Sequence, residues 1–259
     1  MLKLKGKFIQ TLFNLFGKTI YAHKANGILK LEIFNKTNDT DCYHTIIQLL
    51  KFYKPKVVFD IGANEGNWTE NLIKLSNSVT DIFLFEPQLK LNEIISQKLK
   101  AYSVNSKVFN IGLSNKKSKN TIKGGGPSAS ILEVKTNYAF SKELTDEFEE
   151  IEIYSLDEFF DENKLIQPDL IKIDVQGLEY EILEGANITL NQCKFLIVEL
   201  SFDEFYKNQQ PLWKIFKLLD EKGFILADTG FEWRKNYDFK NRLLQIDGIF
   251  YNKNLVQLD

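Results

Sequence analysis

Residues 57–69, VVFDIGANEGNWT, decide the fold. Val57, Val58 and Phe59 are consecutive, apolar and β-prone, the pattern of a central parallel strand buried on both faces. Asp60 closes that strand, and Gly62-Ala63-Asn64-Glu65-Gly66 reads as a tight turn of small and polar residues. A helix opens near Gly66 or Asn67, with Asn64 in a capping position and Trp68, Leu72 and Leu75 on one face. Strand, glycine-rich turn and helix make the place where a doubly wound α/β sheet holds a nucleotide-like ligand. Glycines let the backbone approach, and free N–H groups at the helix start point at what binds.

The glycine spacing narrows the ligand. A dinucleotide fingerprint would want glycines at positions 62, 64 and 67, where this chain has Gly62, Asn64 and Asn67, with its second glycine at Gly66. No Gly-Lys-Ser/Thr follows, so a P-loop is excluded as well. The Asp60 carboxylate suits a cation better than a phosphate. S-adenosylmethionine, a sulfonium with an amino-acid tail, fits that description; a plain strand-to-helix turn is the alternative.

The same punctuation recurs down the chain. A second strand, DIFLF at 81–85, ends in Glu86-Pro87, and Glu86 lies where such folds place the carboxylate that accepts from both ribose hydroxyls. A third, at 107–113, leads through Asn110 and Gly112 into a loop placed to cover an adenine. Residues 169–186, DLIKIDVQGLEYEILEGA, repeat the pattern: a strand broken by Lys172, Asp174 at its tip, Gly177 for close packing, then a helix with Leu178, Ile182, Leu183 and Ala186 on one face. The next strand, 195–198, ends in Glu199. Asp60, Glu86, Asp174 and Glu199 therefore each end a strand, and strand C-termini share the edge where doubly wound sheets bind ligands. Two more strands follow, at 224–227 and at 243–251.

Composition excludes other classes. Net charge is −2 and Arg234 and Arg242 are the only arginines, so no nucleic-acid surface is expected. Cys42 and Cys193 are far apart with no metal pattern, which suits free thiols in a reducing, cytoplasmic setting. His23 and His44 are the only histidines, too few for a histidine metal site, although His44 stays open as a base. Residues 1–18 carry Lys3, Lys5 and Lys7 ahead of Phe8, Ile9, Leu12, Phe13, Leu15 and Phe16. This reads as a helix docked on the domain or a partner, or a basic amphipathic helix on the inner membrane face. Residues 19–56 read as helix and connection, giving a helical N-terminal segment over 1–54 and a ligand-binding domain over 55–259. Gly124-Gly125-Gly126 reads as a flexible turn or lid, and 143–152 as acidic and solvated with a cap at Thr145 or Asp146. Ser155 caps a short helix. Phe231, Trp233, Arg234 and Tyr237 read as an aromatic, polar loop suited to sugar rings or to ordinary packing.

FDIGANEGNWT, FLFEP, NIGLSN, LDEFF, LIKIDVQGLEYEILEGA and FLIVELS occur in the order found in FkbM-type S-adenosylmethionine-dependent methyltransferases, and residues 55–252 resemble that family. The resemblance implies a Rossmann-like three-layer α/β/α fold with a seven-stranded, mainly parallel sheet whose last strand is antiparallel. It implies methyl transfer to oxygen, often a sugar hydroxyl of a polysaccharide, glycolipid or antibiotic. Carried over by position, Asp60, Gly62, Asn64 and Gly66 match the first cofactor loop, Glu86 the ribose-binding acid, and Asp174 with Gly177 the later motif. Gln176 stands where the family commonly has Glu. A sugar hydroxyl is a poor acid, so a base must take its proton near the transition state. Asp174 is the first candidate, with Glu199 or Glu179 assisting. Asp174 with Glu199 also offers hard oxygens to Mg²⁺, but two carboxylates are an incomplete set and no metal site is predicted. The rival readings are an NAD-dependent sugar reductase or epimerase and a non-catalytic scaffold on the same fold.

Overall fold

The computed structural model describes residues 18–25, 28–35, 39–124, 129–135, 147–235 and 240–257. Strands β1 (Lys18–Ala25) and β2 (Ile28–Asn35) pair antiparallel, with Ala25 opposite Ile28. This corrects the expectation of helix and connection from residue 19. Leu29, Leu31 and Ile33 alternate with Lys30 and Glu32, a strand period, and the intervening Asn26-Gly27 is a dipeptide that favours tight hairpin turns. Helix α1 (Asp39–Phe52) follows. Its Ile46 and Leu49 are fully buried, and Tyr53 just beyond it stacks on Phe195 at 4.7 Å, so this helix belongs to the packing of the main sheet. Residues 1–17, with the expected amphipathic segment, lie outside the described residues.

The strand and helix of the opening motif are β3 (Val57–Ile61) and α2 (Asn67–Leu75). Then come β4 (Asp81–Phe85), α3 (Leu89–Leu99), β5 (Asn105–Phe109), β6 (Gly112–Ser114), β7 (Ser118–Lys123), β8 (Phe148–Ser155) and α4 (Leu156–Glu162). The chain continues through β9 (Leu170–Ile173), α5 (Glu179–Glu184), α6 (Asn187–Asn191), β10 (Phe195–Ser201), α7 (Leu212–Glu221), β11 (Phe224–Lys235) and β12 (Arg242–Asn252).

Seven strands form one sheet in the order β11-β12-β10-β9-β3-β4-β5. The run β10-β9-β3-β4-β5 is parallel, and the last strand, β12, is antiparallel to both neighbours. Alternate residues of each strand feed two cores. Phe59, Ile61, Ile171, Ile173 and Val198 face α4–α7, whose Phe159, Ile182, Leu183 and Leu219 cover them. Val58, Leu170, Phe195 and Ile197 face α1–α3, which contribute Ile46, Trp68, Leu72 and Ile95. The result is the three-layer α/β/α arrangement. Ser155 caps α4 as its sequence suggests, accepting from the Glu158 N–H at 3.3 Å. Among the described residues no helix is long and apolar enough to cross a membrane.

A second sheet has the order β6-β8-β7, with β6 parallel and β7 antiparallel to β8. The acidic stretch 143–152 reads as solvated, yet its residues 148–152 belong to β8, with Ile151 and Ile153 buried and Glu150 and Glu152 exposed. Thr145, Asp146 and residues 125–128 lie outside the described residues; Lys123 pairs antiparallel with Ser130. Phe231, Trp233 and Arg234 are not in a loop but in β11, where Trp233 packs on Phe205 at 5.4 Å and Arg234 pairs with Glu232 at 2.9 Å. Tyr237 is outside the described residues.

Candidate active site

The turn after β3 is fixed by backbone bonds. The Gly62 and Ala63 N–H groups donate to the Phe85 carbonyl at 3.0 and 3.2 Å, and the Asp174 N–H donates to the Ile61 carbonyl at 3.1 Å. Gly62 has φ +76°, and a Cβ there would lie 1.8 Å from the Asp174 carbonyl oxygen, so only glycine fits between the two strand ends. Gly66, also at positive φ, opens α2, with no side-chain cap; Asn64 does not cap the helix. A Cβ on Gly66 would press on Ile95, so this glycine serves packing and does not border the cleft.

Between the turn, β4 and β9 opens a cleft of about 640 Å³, counting its open mouth. Gly62, Asn64, Glu86, Gly112 and Asp174 line it, together with Gln88, Ser130, Val175 and Gln176. Its apolar wall comes from Ile111 and from Leu113, Ile122, Ile151 and Ile153 of the second sheet.

Glu86 is almost fully buried at this wall. Its Oε2 accepts from the Asn64 N–H at 2.8 Å and its Oε1 from the Gln88 N–H at 2.9 Å. Burial pushes its carboxyl above the usual range, and these backbone donors oppose the rise. Oε1 also accepts from the Gln88 side-chain amide at 3.4 Å, and Oε2 keeps a second lone-pair site for a ligand donor. Asn64, at φ +49°, has a buried Oδ1 with no hydrogen-bond partner among the described residues. Asn110 lies outside the cleft and acts on its frame, donating to the Pro87 carbonyl at 2.6 Å.

Asp60 does not line the cleft. It shares a sheet face with Val58, is fully buried under α2, and accepts from Thr69 Oγ1 at 2.6 Å and Lys172 Nζ at 3.2 Å. The reason is parity: the strand-tip pattern names the edge, and the alternating pleat sends Asp60 away from the cleft. Lys172, directly opposite Asp60 in the parallel register, also pairs with Asp174 Oδ2 at 3.3 Å and reaches the Gly62 carbonyl at 3.4 Å. Asp174, about one-third exposed, accepts at Oδ1 from Gln176 Nε2 at 3.3 Å. Gln176 Oε1 in turn accepts from Tyr206 Oη at 2.7 Å. A polar chain thus runs Thr69–Asp60–Lys172–Asp174–Gln176–Tyr206.

Glu179 and Glu199 sit behind Asp174 and do not border the cleft. The Glu179 Oε1 accepts from the Val175 and Gly177 N–H groups at 3.3 and 3.0 Å and ties the loop after β9. Burial, with the Asp174 charge adding, pushes its carboxyl up to about 7 against those bonds. Glu199, cross-strand from Asp247, is held well above the usual range by burial and then by Asp174, Glu179 and Asp247. His44 lies on α1, its ring bonded to Gln48, and is not at the cleft. Among the described residues no three His, Cys, Asp or Glu side chains converge as metal ligands. Lys172 and Tyr206 escaped the sequence reading. A lone lysine inside LIKI is a signal, because a buried ammonium requires carboxylate partners; Tyr206 in an irregular segment gave none.

The methyltransferase FkbM domain matches residues 60–226. The 2-O-methyltransferase NoeI of Sinorhizobium fredii (strain NBRC 101917 / NGR234) is 26% identical over 205 residues, which cover 75% of this chain and 81% of that protein. Among solved structures, methyltransferase FkbM from Methylobacillus flagellatus KT superposes with a TM-score of 0.49 at 16% identity over 79% of this chain; the chain spans 47% of that protein. M. capricolum TrmK in complex with S-adenosyl-homocysteine gives 0.45 at 10% identity, covering 83% of this chain and 70% of that one. With its seven-stranded sheet, its glycine turn and a domain match over most of its length, the chain belongs to the FkbM family of methyltransferases.

Proposed function

We propose that the chain transfers a methyl group from S-adenosylmethionine to a hydroxyl oxygen of a sugar in a polysaccharide, glycolipid or related glycoconjugate. The observation that carries this reading is the pairing of Glu86 and Asp174 on one cleft at the strand C-termini. The donor set fits the cofactor. Glu86 offers Oε2 to a ribose hydroxyl, the Asn64 Oδ1 offers a further acceptor, and Ile111, Leu113 and Ile151 supply an apolar wall for a flat base. The name of the NoeI relative supports oxygen as the acceptor atom.

The cofactor, when bound, supplies an electrophilic methyl carbon on a sulfonium. The protein's part is to align the acceptor hydroxyl in line with that carbon and to take its proton. Asp174 borders the cleft with both oxygens turned to Lys172 and Gln176, and a free lone pair on either can receive the proton. Glu179 holds the loop that carries Asp174, and Glu199 lies behind it. Gly62 leaves the backbone open to the ligand on the other side.

Calorimetry with S-adenosylmethionine tests the reading. Glu86→Ala is expected to weaken binding by about 1–3 kcal/mol, the cost of losing hydrogen bonds to a charged group. Asp174→Asn is expected to bind within a few-fold of wild type and to lose transfer of labelled methyl to a panel of methyl glycosides. Equal loss of binding in both variants would make Asp174 a cofactor ligand and not the base. No binding by folded wild type would overturn the proposal.

A further inference from the structure

We propose that Gln176 is a positioning residue for Asp174: its side-chain amide, oriented by the Tyr206 hydroxyl, keeps a donor on Asp174 Oδ1 and so holds that carboxylate in place at the cleft. This rests on the role given to Asp174 above.

The amide has one workable orientation. Tyr206 Oη donates to Gln176 Oε1 at 2.7 Å, which leaves Nε2 facing Asp174 Oδ1 at 3.3 Å. The flipped amide would set an acceptor oxygen against a carboxylate oxygen. Tyr206 is 1% exposed, and burial with the charges of Glu199, Glu179 and Asp174 raises its phenol, which keeps it a donor. The backbone is fixed too. Gln176 has φ +60°, a conformation costly for a residue with a Cβ. Ser130 Oγ donates to its carbonyl at 2.9 Å, and a Cβ on Gly177 would meet the Tyr206 ring at 2.8 Å. A strained turn held from three sides, at the cleft, serves the placement of its side chain.

The charged surroundings make that donor matter. Asp174 faces Glu179 on α5 and Glu199 on β10, both acids, and Lys172 on β9, whose ammonium is shared with Asp60. The Gln176 amide is the second donor on Asp174. A carboxylate at 176 would still accept from Tyr206 but would face Asp174 as a like charge, and two carboxylates at hydrogen-bond distance share a proton.

The test is a ¹³C NMR titration of carboxyl-labelled aspartates, with the Asp174 signal assigned by its loss in Asp174→Asn. In Gln176→Glu the Asp174 midpoint is expected to rise by about one pH unit or more relative to wild type. Tyr206→Phe is expected to raise it in the same direction by a smaller amount, because the amide is then free to turn. Affinity of wild type for S-adenosylmethionine is measured under the same conditions. A midpoint in Gln176→Glu that stays at the wild-type value would overturn the inference. Wild type that does not bind S-adenosylmethionine would break the functional reading instead, so the two failures separate.

Discussion

Glu86 and Asp174 border the same cleft and are held in different ways. Glu86 is gripped chiefly by backbone, the N–H groups of Asn64 and Gln88. Asp174 is gripped by side chains, Lys172 and Gln176. Backbone donors are present whatever residues occupy the turn, so the geometry of Glu86 follows from the path of the chain. The geometry and charge of Asp174 follow from the identity of its neighbours. The first is a fixed anchor, and the second can be tuned one substitution at a time.

The largest effect is expected where the two systems share a frame. Gly62 donates to the carbonyl of Phe85, next to Glu86, and packs on the carbonyl of Asp174. Gly62→Ala drives a Cβ into that carbonyl at positive φ, and neither strand end can retreat without opening the parallel sheet. A destabilisation beyond about 4 kcal/mol is expected, in the range that only a few severe mechanisms reach. Urea unfolding would measure it; a variant as stable as wild type would mean the two walls are not rigidly joined.

Next comes a change confined to the side-chain-held region. Lys172→Met keeps the apolar stem but leaves the fully buried Asp60 with Thr69 as its remaining side-chain partner. Breaking one side of a buried pair costs about 3–5 kcal/mol, and adding Asp60→Asn, which removes the stranded charge, is expected to recover more than half of it. A double variant no more stable than the single one would show that Lys172 works through packing and not through charge.

These sites differ in how far the sequence discloses them. Gly62, Glu86 and Asp174 are legible because they depend on local signals: an apolar run that ends, a glycine that follows, an acid at the tip. Asp60 carries the same local signal, but strand-end position does not say which face a residue takes, and a strand buried on both faces gives no alternation to count from. Ile151 and Ile153 are hidden among Glu149, Glu150 and Glu152, although their alternation is the strand period. The pairing of β1 and β2 is signalled by the alternation of Leu29, Leu31 and Ile33 with Lys30 and Glu32, a pattern too short to outweigh the helical period of the segment that follows. Tyr206 and Ser130 come from irregular segments and meet Gln176 across 30 and 46 residues, a contact no local pattern encodes.

The smallest effect expected is one of slope, at Glu179, which belongs to both systems: backbone N–H groups hold it, and the Asp174 charge perturbs it. Burial raises its carboxyl from an ordinary 4.5 to about 7 in the folded protein. The folded state therefore keeps a proton that the unfolded chain gives up. Below about pH 4.5 both states are protonated and the contribution to stability is fully present. As pH rises from there to about 7 the unfolded chain alone is ionised, and stability drains away; above 7 the loss is complete. Glu199, raised in the same direction, steepens the decline. Glu179→Gln keeps an Oε1 to accept from Val175 and Gly177 but has no proton to hold. Its stability is expected to fall less between pH 4.5 and 7 than that of wild type, by urea unfolding at a series of pH values. Parallel curves for the two proteins would mean that the backbone donors alone neutralise the cost of burying this charge, and Glu179 would then stand with Glu86 as a fixed anchor, leaving Asp174 alone as the tunable one.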